Sequence, residues 1–528
     1  MNIPGTAIAS SKSPSSTSHE AQFRSQMGQI SRHSAVFFSG TLFTAVAGYF
    51  FKIYVARMLG AEALGIYALG MTIVGFFGLF NGLGLPQAAV RFVAAYSATR
   101  QYARLHAFLR HAFVLLAPAN AVLAGVLILL GSWIARRLYH TPGLTAYLHL
   151  FAIILVVSAF GTFLGQVLAG YKDVARRTVI TSFIGSPLNI VLGIILLAGG
   201  MGLRGYVWAQ IGSGVIVLLL LMASAWKLTP VAARHAPATP VPLESEVFWF
   251  SAAVFAMNGL EFLLGQADKI LMGILLDVRQ VGIYTVAASM VAFVSIALQS
   301  VNQIFSPTIA DLHARGEQAL LGRIFQTLTK WIVGLTLPLA FVMIVYSKAL
   351  MRLFGPAFEA GWIVLILGTL GQLINTGVGS VGYLLLMSGN QKRLIRVQAV
   401  MAVFMVAAVA GLARPFGMAG VALAGAMTNA VTNYLCLREV KAALQLSPYN
   451  RTYLRLMGPC VASIAVVLAS RFLVVDVHPE WVLIVIALAA SYATFGGLAL
   501  LRLDDDDRMI VGAIQRRLLG AAGKASSL

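Results

Sequence analysis

Acidic side chains are scarce in this sequence: 18 Asp and Glu among 528 residues, with all charged residues together at 11%. A soluble domain carries roughly 25% charged residues. The chain therefore lacks the polar surface that a water-soluble globule needs. Cysteine is nearly absent. Cys436 and Cys460 both stand in apolar segments, and two such thiols are neither a disulfide framework nor a metal-ligand set. There is no glycine loop to cradle phosphates, no cluster with metal-ligand spacing, and no Ser/His/Asp set on a large polar loop; the nine His are scattered. These absences argue against an enzyme and predict no cofactor and no metal site. The outward-facing loops are short, which also argues against a glycan polymerase or ligase, since that would need an outward catalytic loop. No basic stretch leads into a short apolar core with a small-residue cleavage site, so no signal peptide is expected.

What the chain has instead is hydrocarbon: 59% hydrophobic residues and a mean hydropathy of +0.84. Apolar runs of about 20 residues, enough to cross a bilayer, recur from end to end. Each must be helical, because backbone groups find no water inside the hydrocarbon. The expected class is an all-α polytopic membrane protein with about 14 transmembrane helices between residues 36 and 501. The net charge of +20 would suggest nucleic acid for a soluble protein. Here it is read as cytoplasmic loop charge, with no nucleic-acid partner. With the N-terminus inside, most of the 38 Lys and Arg fall on the cytoplasmic side, among them Arg91, Arg176, Arg177, Arg393, Arg438 and Arg508. That bias puts both termini inside and favours an even number of spans.

An internal repeat organises the chain. Phe51-Lys52-Ile53 followed by Gly65-Ile66-Tyr67 matches Asp268-Lys269-Ile270 followed by Gly282-Ile283-Tyr284, each 217 residues later. Ala169-Gly170-Tyr171-Lys172 and Ser388-Gly389-Asn390-Gln391 end the fourth and tenth spans. Gly202-Leu203-Arg204-Gly205 and Gly417-Met418-Ala419-Gly420 open the sixth and twelfth. Spans 1–6 thus repeat as spans 7–12. Because six is even, the two copies share one orientation, related by an axis along the membrane normal.

The predicted organisation is a disordered cytoplasmic tail (1–33), an N-lobe of six spans (34–226) and a Pro-rich cytoplasmic linker (227–246). A C-lobe of six spans (247–437), two further helices (438–501) and a cytoplasmic tail (502–528) follow. The last holds Asp504 to Asp507 and an apolar-basic stretch suited to a short interfacial helix.

Candidate functional residues follow from the cost of charge in lipid. An ionised side chain at a helix centre costs about 2.5–3.5 kcal/mol on insertion scales. Of the acids, only Glu261 and Asp268 lie deep in spans, and with Gly265 and Lys269 they form one helical stripe. They are candidates for exchanging a proton or binding a coupling cation. Lys52 and Lys269, related by the repeat, are candidates for an anionic substrate group such as a diphosphate, with Arg91 at the cavity mouth. The alternative is that Asp268 and Lys269 sit near the membrane boundary and snorkel, and that Arg91 is ordinary inside charge. In-span Asn and Gln residues suit interhelical bonding and a sugar cavity equally.

The run Ala56-Arg57-Met58-Leu59-Gly60-Ala61-Glu62-Ala63-Leu64-Gly65-Ile66-Tyr67 resembles the first-span signature of bacterial polysaccharide flippases, the Wzx-type exporters of lipid-linked oligosaccharide. So do Ala169-Gly170 with its basic loop and the Gly-x-x-Gly openings of spans 6 and 12. These exporters belong to the multidrug/oligosaccharidyl-lipid/polysaccharide superfamily, with MATE drug exporters and lipid II flippases. The resemblance implies two six-helix bundles around a V-shaped cavity and alternating access. It implies a polyprenyl-diphosphate-linked oligosaccharide moved across the bacterial cytoplasmic (inner) membrane, with glycan polymerase or export proteins as partners beside the lipid bilayer. Two extra C-terminal spans resemble the fourteen-span members. The first lobe carries no in-span acid, unlike many proton-coupled drug exporters, and Lys52 suits an anion better than a cationic drug. A small-molecule ion-coupled exporter and a non-transporting scaffold for glycan assembly remain the alternatives.

Overall fold

The structure, a computed structural model, describes residues 15–234, 262, 265–450, 453–473, 480–501 and 507. Every regular element among them is helical, as a lipid solvent requires. Among the described residues eleven helices are long and apolar enough to cross a membrane, where the hydropathy runs of the whole chain suggest about fourteen. Part of the difference lies in two continuous helices that each contain two apolar runs. Phe43–Asn81 and Gln391–Leu444 pass through kinks at Gly60 (φ 75°, ψ 177°) and Gly417 (φ 59°, ψ −142°). Only glycine enters these backbone regions without a Cβ clash. The helical course therefore breaks at one residue instead of at a polar loop. Most of the run 247–275 lies outside the described residues, although 265–275 is helical.

The first helix is described from Ser15, inside the stretch whose composition predicts disorder. Elongating an existing helix is far easier than nucleating one, and the apolar run that begins near residue 36 supplies the nucleus. The linker is described only as far as Arg234, where Val231–Arg234 forms one turn after the Gly202–Leu228 helix.

The chain packs as two compact units. The first comprises Met1–Lys52, Phe77–Gly125 and Leu150–Met257. Its core gathers Phe92, Leu105, Phe108, Leu116, Phe163 and Leu168, with Phe113 edge-on to Phe163 at 5.6 Å. Asn120, fully buried in the Tyr102–Trp133 helix, donates to the carbonyls of Asn81 (2.8 Å) and Leu116 (2.9 Å). It thereby satisfies the end of the first helix where water is absent.

The second unit comprises Ile53–Phe76, Val126–His149 and Asn258–Leu528. Its core gathers Phe305, Phe325, Val381, Leu384, Leu385, Met401 and Val440. Phe325 and Leu385 stand at the repeat offset from Phe108 and Leu168. The repeat seen in the sequence is therefore a repeat of core positions.

The two C-terminal helices, Tyr453–Leu473 and Glu480–Leu500, dock on the Gln318–Val345 helix. Ser463 and Ser491 share a buried hydrogen bond (2.6 Å), Tyr492 donates to the carbonyl of Leu335 (2.7 Å), and the Phe495 ring fills the space over Gly334. The acidic run contributes one further tie. Asp507 is buried. It accepts from Lys330 Nζ (2.8 Å) and from Trp331 Nε1 (2.8 Å). Lys330 is thus a buried ion-pair partner. Removing one member of such a pair strands the other. Lys330→Met or Asp507→Asn alone is expected to destabilise by about 3–5 kcal/mol. The double change Lys330→Met with Asp507→Leu should recover most of that loss. Thermal unfolding of the detergent-solubilised protein, analysed as a double-mutant cycle, checks both.

Candidate functional site

Asp268 sits on the helix 265–275, half-buried, one turn after exposed Gly265. Two donors hold its carboxylate. The hydroxyl of Tyr284 donates to Oδ2 (2.8 Å), and the backbone N–H of Lys269 donates to Oδ1 (2.8 Å). Tyr284 is buried on the Val278–Val291 helix. The Lys269 ammonium turns away and donates to Gln266 Oε1 (2.9 Å). No cation among the described residues forms an ion pair with Asp268. The carboxylate lines a cavity of about 370 Å³, together with Tyr284, Ser295, Gln372, Thr428 and Asn429. Glycines open this space: Gly265, Gly368, Gly371 and Gly425 are in the wall. A Cβ at Gly371 would press on the backbone of Ala426, so the two helices meet there at backbone distance.

This arrangement has defined chemistry. An ionised carboxylate accepts several hydrogen bonds and donates none. Asp268 has one donor on each oxygen and further lone pairs beside hydroxyl and amide oxygens. That set suits a proton or a hard cation with oxygen ligands. The repeat makes the asymmetry plain. The position matching Asp268 in the first copy is Phe51, whose ring is buried over Gly193 and lies 6.2 Å from Tyr206. One copy fills the place with an aromatic ring; the other leaves a cavity with a charge.

The remaining candidates fall elsewhere. Lys269 is next to Asp268 but is not among the cavity's lining residues. Lys52 is half-buried at the end of a segment of the first unit. Arg91 is exposed in that unit, its guanidinium 5.3 Å from the Phe92 ring centroid. Glu261 lies outside the described residues. Tyr284, Ser295, Thr428 and Asn429 were not singled out by the charge-based reading. Tyr284 alone left a signal, as the last residue of the repeated Gly-Ile-Tyr.

A family model described as polysaccharide biosynthesis protein matches residues 54–359. The chain belongs to this family. No curated protein sequence matches it. Among solved structures, the lipid II flippase MurJ in an inward closed conformation aligns with a TM-score of 0.68 and 15% identity, over 88% of this chain and 98% of that one. An inward-facing multidrug resistance MATE transporter aligns with a TM-score of 0.60 and 16% identity, over 76% and 95%. A Vibrio cholerae MATE transporter gives 0.52 and 17%, over 79% and 98%. At such identities the likeness is one of fold. This polysaccharide biosynthesis family member is a multi-pass membrane protein with the build of flippases and transporters, not of enzymes.

In this family member the repeated motif also forms a contact. The second unit contains residues 53–76 as well as the second copy of the motif. Within it, a Cβ on Gly65 would collide with the carbonyl of Val278, and one on Gly282 with the carbonyl of Ala61. Ala61 and Val278 are themselves repeat equivalents, so the contact is reciprocal. Gly273 likewise packs under Leu69 and Tyr139. Arg57 Nε donates to the carbonyl of Leu353 (2.7 Å), at the end of the Ser347–Arg352 helix. Small residues let helices approach to where Cα–H groups meet carbonyls. A protein with Arg57→Cys and Leu353→Cys, and with Cys436 and Cys460 replaced by Ala, should cross-link readily with a short bis-maleimide. Altered gel mobility reports the link. Gly65→Val and Gly282→Val should each weaken this closed contact and lower the cross-linking yield of a pair placed at 57 and 353.

Proposed function

We propose that this protein moves a polyprenyl-diphosphate-linked oligosaccharide, a precursor of surface or exopolysaccharide, from the inner to the outer leaflet of the bacterial cytoplasmic membrane. Transport runs by alternating access, coupled to proton or cation exchange at Asp268. The observation that carries this reading is the Asp268 cavity in a member of a polysaccharide biosynthesis family. A carboxylate inside a membrane span, held by Tyr284 and paired with no cation among the described residues, is costly unless it is used. Its charge changes whenever a proton or cation binds, and that change is what couples an ion gradient to a conformational equilibrium. Lys52, Lys269 and Arg91 serve as cationic contacts for the diphosphate, and Glu261 is a second ion-coupling candidate. The fold neighbours, a lipid II flippase and drug transporters, support export as the general task. The lipid-linked cargo rests on the family. Both termini are placed in the cytoplasm by the loop charges, and glycan polymerase or export proteins are partners consistent with such a cargo.

A small-molecule exporter is the second reading, favoured by the anionic character of the Asp268 cavity, which suits a cationic solute. Cargo analysis separates the two. Deleting the gene should cause polyprenyl-linked glycan to accumulate while surface glycan falls. Unchanged lipid-linked pools with intact surface glycan would favour the small-molecule reading. Asp268→Asn should cut export at least about tenfold, because a charge-assisted interaction is worth roughly 1.5–3 kcal/mol. Lys52→Glu should abolish glycan export, and wild-type export from that variant would remove Lys52 from cargo recognition. Both are measured as surface glycan in the complemented deletion strain at matched protein levels.

A further inference from the structure

Two polar rows leave the Asp268 cavity in the same direction. One lies on the Ile296–Ala314 helix and the turn before it. Ser295 lines the cavity, and Gln299 Nε2 donates to its hydroxyl (2.8 Å). Asn302 follows one turn on. It is 7% exposed, and its Oδ1 has no hydrogen-bond partner among the described residues. The other row lies on the Trp362–Val378 helix. Gln372 lines the cavity, Asn375 Nδ2 donates to its Oε1 (3.1 Å), and the N–H of Gly379 donates to the carbonyl of Asn375 (3.2 Å). From 295 to 302, and from 372 to 379, each row advances about 10 Å. Both head for the end where Leu312 and Leu394 share a core cluster, beside the basic turn at Lys392 and Arg393. Loop charges assign that end to the cytoplasm.

The second row ends in a broken helix. Gly379 takes φ 75°, ψ −148°, and the helical course resumes as Val381–Met387. The N–H of Val381 turns to the carbonyl of Gly379 (3.0 Å). The carbonyl of Gly377 thereby loses its usual donor, and the carbonyl of Thr376 receives none from Ser380. Among the described residues neither oxygen accepts another hydrogen bond. Inside a membrane such groups are tolerated where they line water. Room for it exists, because a Cβ at Gly377 or at Gly382 would meet no atom within 4 Å. The first copy of the repeat has neither feature. Its matching stretch, near residue 162, lies within the unbroken Leu148–Gly170 helix, and the core residue Leu85 stands 217 residues before Asn302. Both rows belong to the copy that carries Asp268.

We propose that a hydrated path joins the Asp268 cavity to the cytoplasmic end of the second unit, between these two rows, and carries the proton or small cation exchanged at Asp268. Asn302 Oδ1 and the carbonyls of Thr376 and Gly377 hold its water, which needs two to four polar partners at each place. The groups left open are oxygen acceptors, and no cationic side chain stands in either row. The break also exposes the negative end of a helix dipole. The path therefore favours cations and excludes anions. The exchanged ion rests on the export reading given above; the path itself does not, because it is tested by access.

The test uses the full-length protein with Cys436 and Cys460 replaced by Ala and one reporter cysteine at a time, in inside-out membrane vesicles without chloride. Silver ion, a small cation that bonds to thiolate sulfur, is added to the bath. Unreacted thiols are then counted with a maleimide after denaturation. Ser295→Cys and Ser380→Cys change one atom each and should both react, although the residues are only 7% and 4% exposed. Ile374→Cys, 43% exposed between Gln372 and Asn375, should stay unreacted, because its exposure is to hydrocarbon. Gly377→Val, which has room for its side chain, should slow the reaction of Ser295→Cys at least about tenfold by placing an apolar barrier before an ion. It should leave Ser380→Cys, nearer the bath, unchanged. Asn302→Leu, which installs the residue of the first copy, should slow Ser295→Cys in the same direction; gel filtration confirms the fold of each variant. An unreactive Ser295→Cys or Ser380→Cys, equal reaction at Ile374→Cys, or a Ser295→Cys rate unmoved by both blocking variants would overturn the path. Surface glycan separates the two readings. If the silver results hold and Gly377→Val exports as well as wild type, the path stands and ion exchange at Asp268 drops out of the export reading.

Discussion

Inside a bilayer no water completes a hydrogen bond, and every polar group must find its partner within the protein. Most of this structure follows from that constraint. It makes the spans helical. It explains why Asn120 answers the carbonyl of Asn81 where the first helix ends, and why Ser463 and Ser491 bond to each other between the C-terminal helices. It also explains why Asp507 reaches back to Lys330 and Trp331. The same constraint makes Asp268 conspicuous. Tyr284 and one backbone N–H hold it, but no cation pairs with it among the described residues, and it borders open space. A group whose charge is only half answered by the protein is suited to being answered by something that comes and goes.

Helices in lipid also lack a hydrophobic force to press them together, so close packing depends on small residues. Gly65 and Gly282 show what this allows. Each brings its helix onto a carbonyl of the other copy of the motif, and neither place has room for a Cβ. A contact made of backbone and hydrogen atoms is tight in area and weak in specificity. It forms without interlocking side chains. The clusters around Phe108 and Phe325 are of the opposite kind: interdigitated aromatic and aliphatic side chains that keep each unit rigid.

Duplication supplies the frame, and divergence separates the two copies. The two copies share core positions, positive-φ glycines at Gly202 and Gly417, and the Gly-Ile-Tyr motif. They differ at Phe51 and Asp268, where one copy is packed and the other is hollow and charged. The two helices added after the second copy do not take part in the repeat. They lean on the Gln318–Val345 helix and bring Arg471 and Glu480 to a cavity at Lys348 and Arg352.

The sequence by itself determined the class and the repeat, and it offered Glu261 and Asp268 as the in-span acids. These depend on properties that survive in one dimension: the length of an apolar run, the spacing of a motif, and the rarity of charge inside a span. It placed Gly60 between two apolar runs and Gly417 at the start of one, but not that the helix continues through them, because that depends on a single pair of backbone angles. It ranked Lys52, Lys269 and Arg91 by charge alone. Tertiary structure decided that Lys269 turns to Gln266 and that Asp268 is met by Tyr284, 16 residues away. It also decided that Lys330 is buried against Asp507, 177 residues away. Partners of this kind are set by how helices pack in three dimensions. A span's hydropathy records that a charge is present in the membrane, and only the neighbouring helices record what answers it.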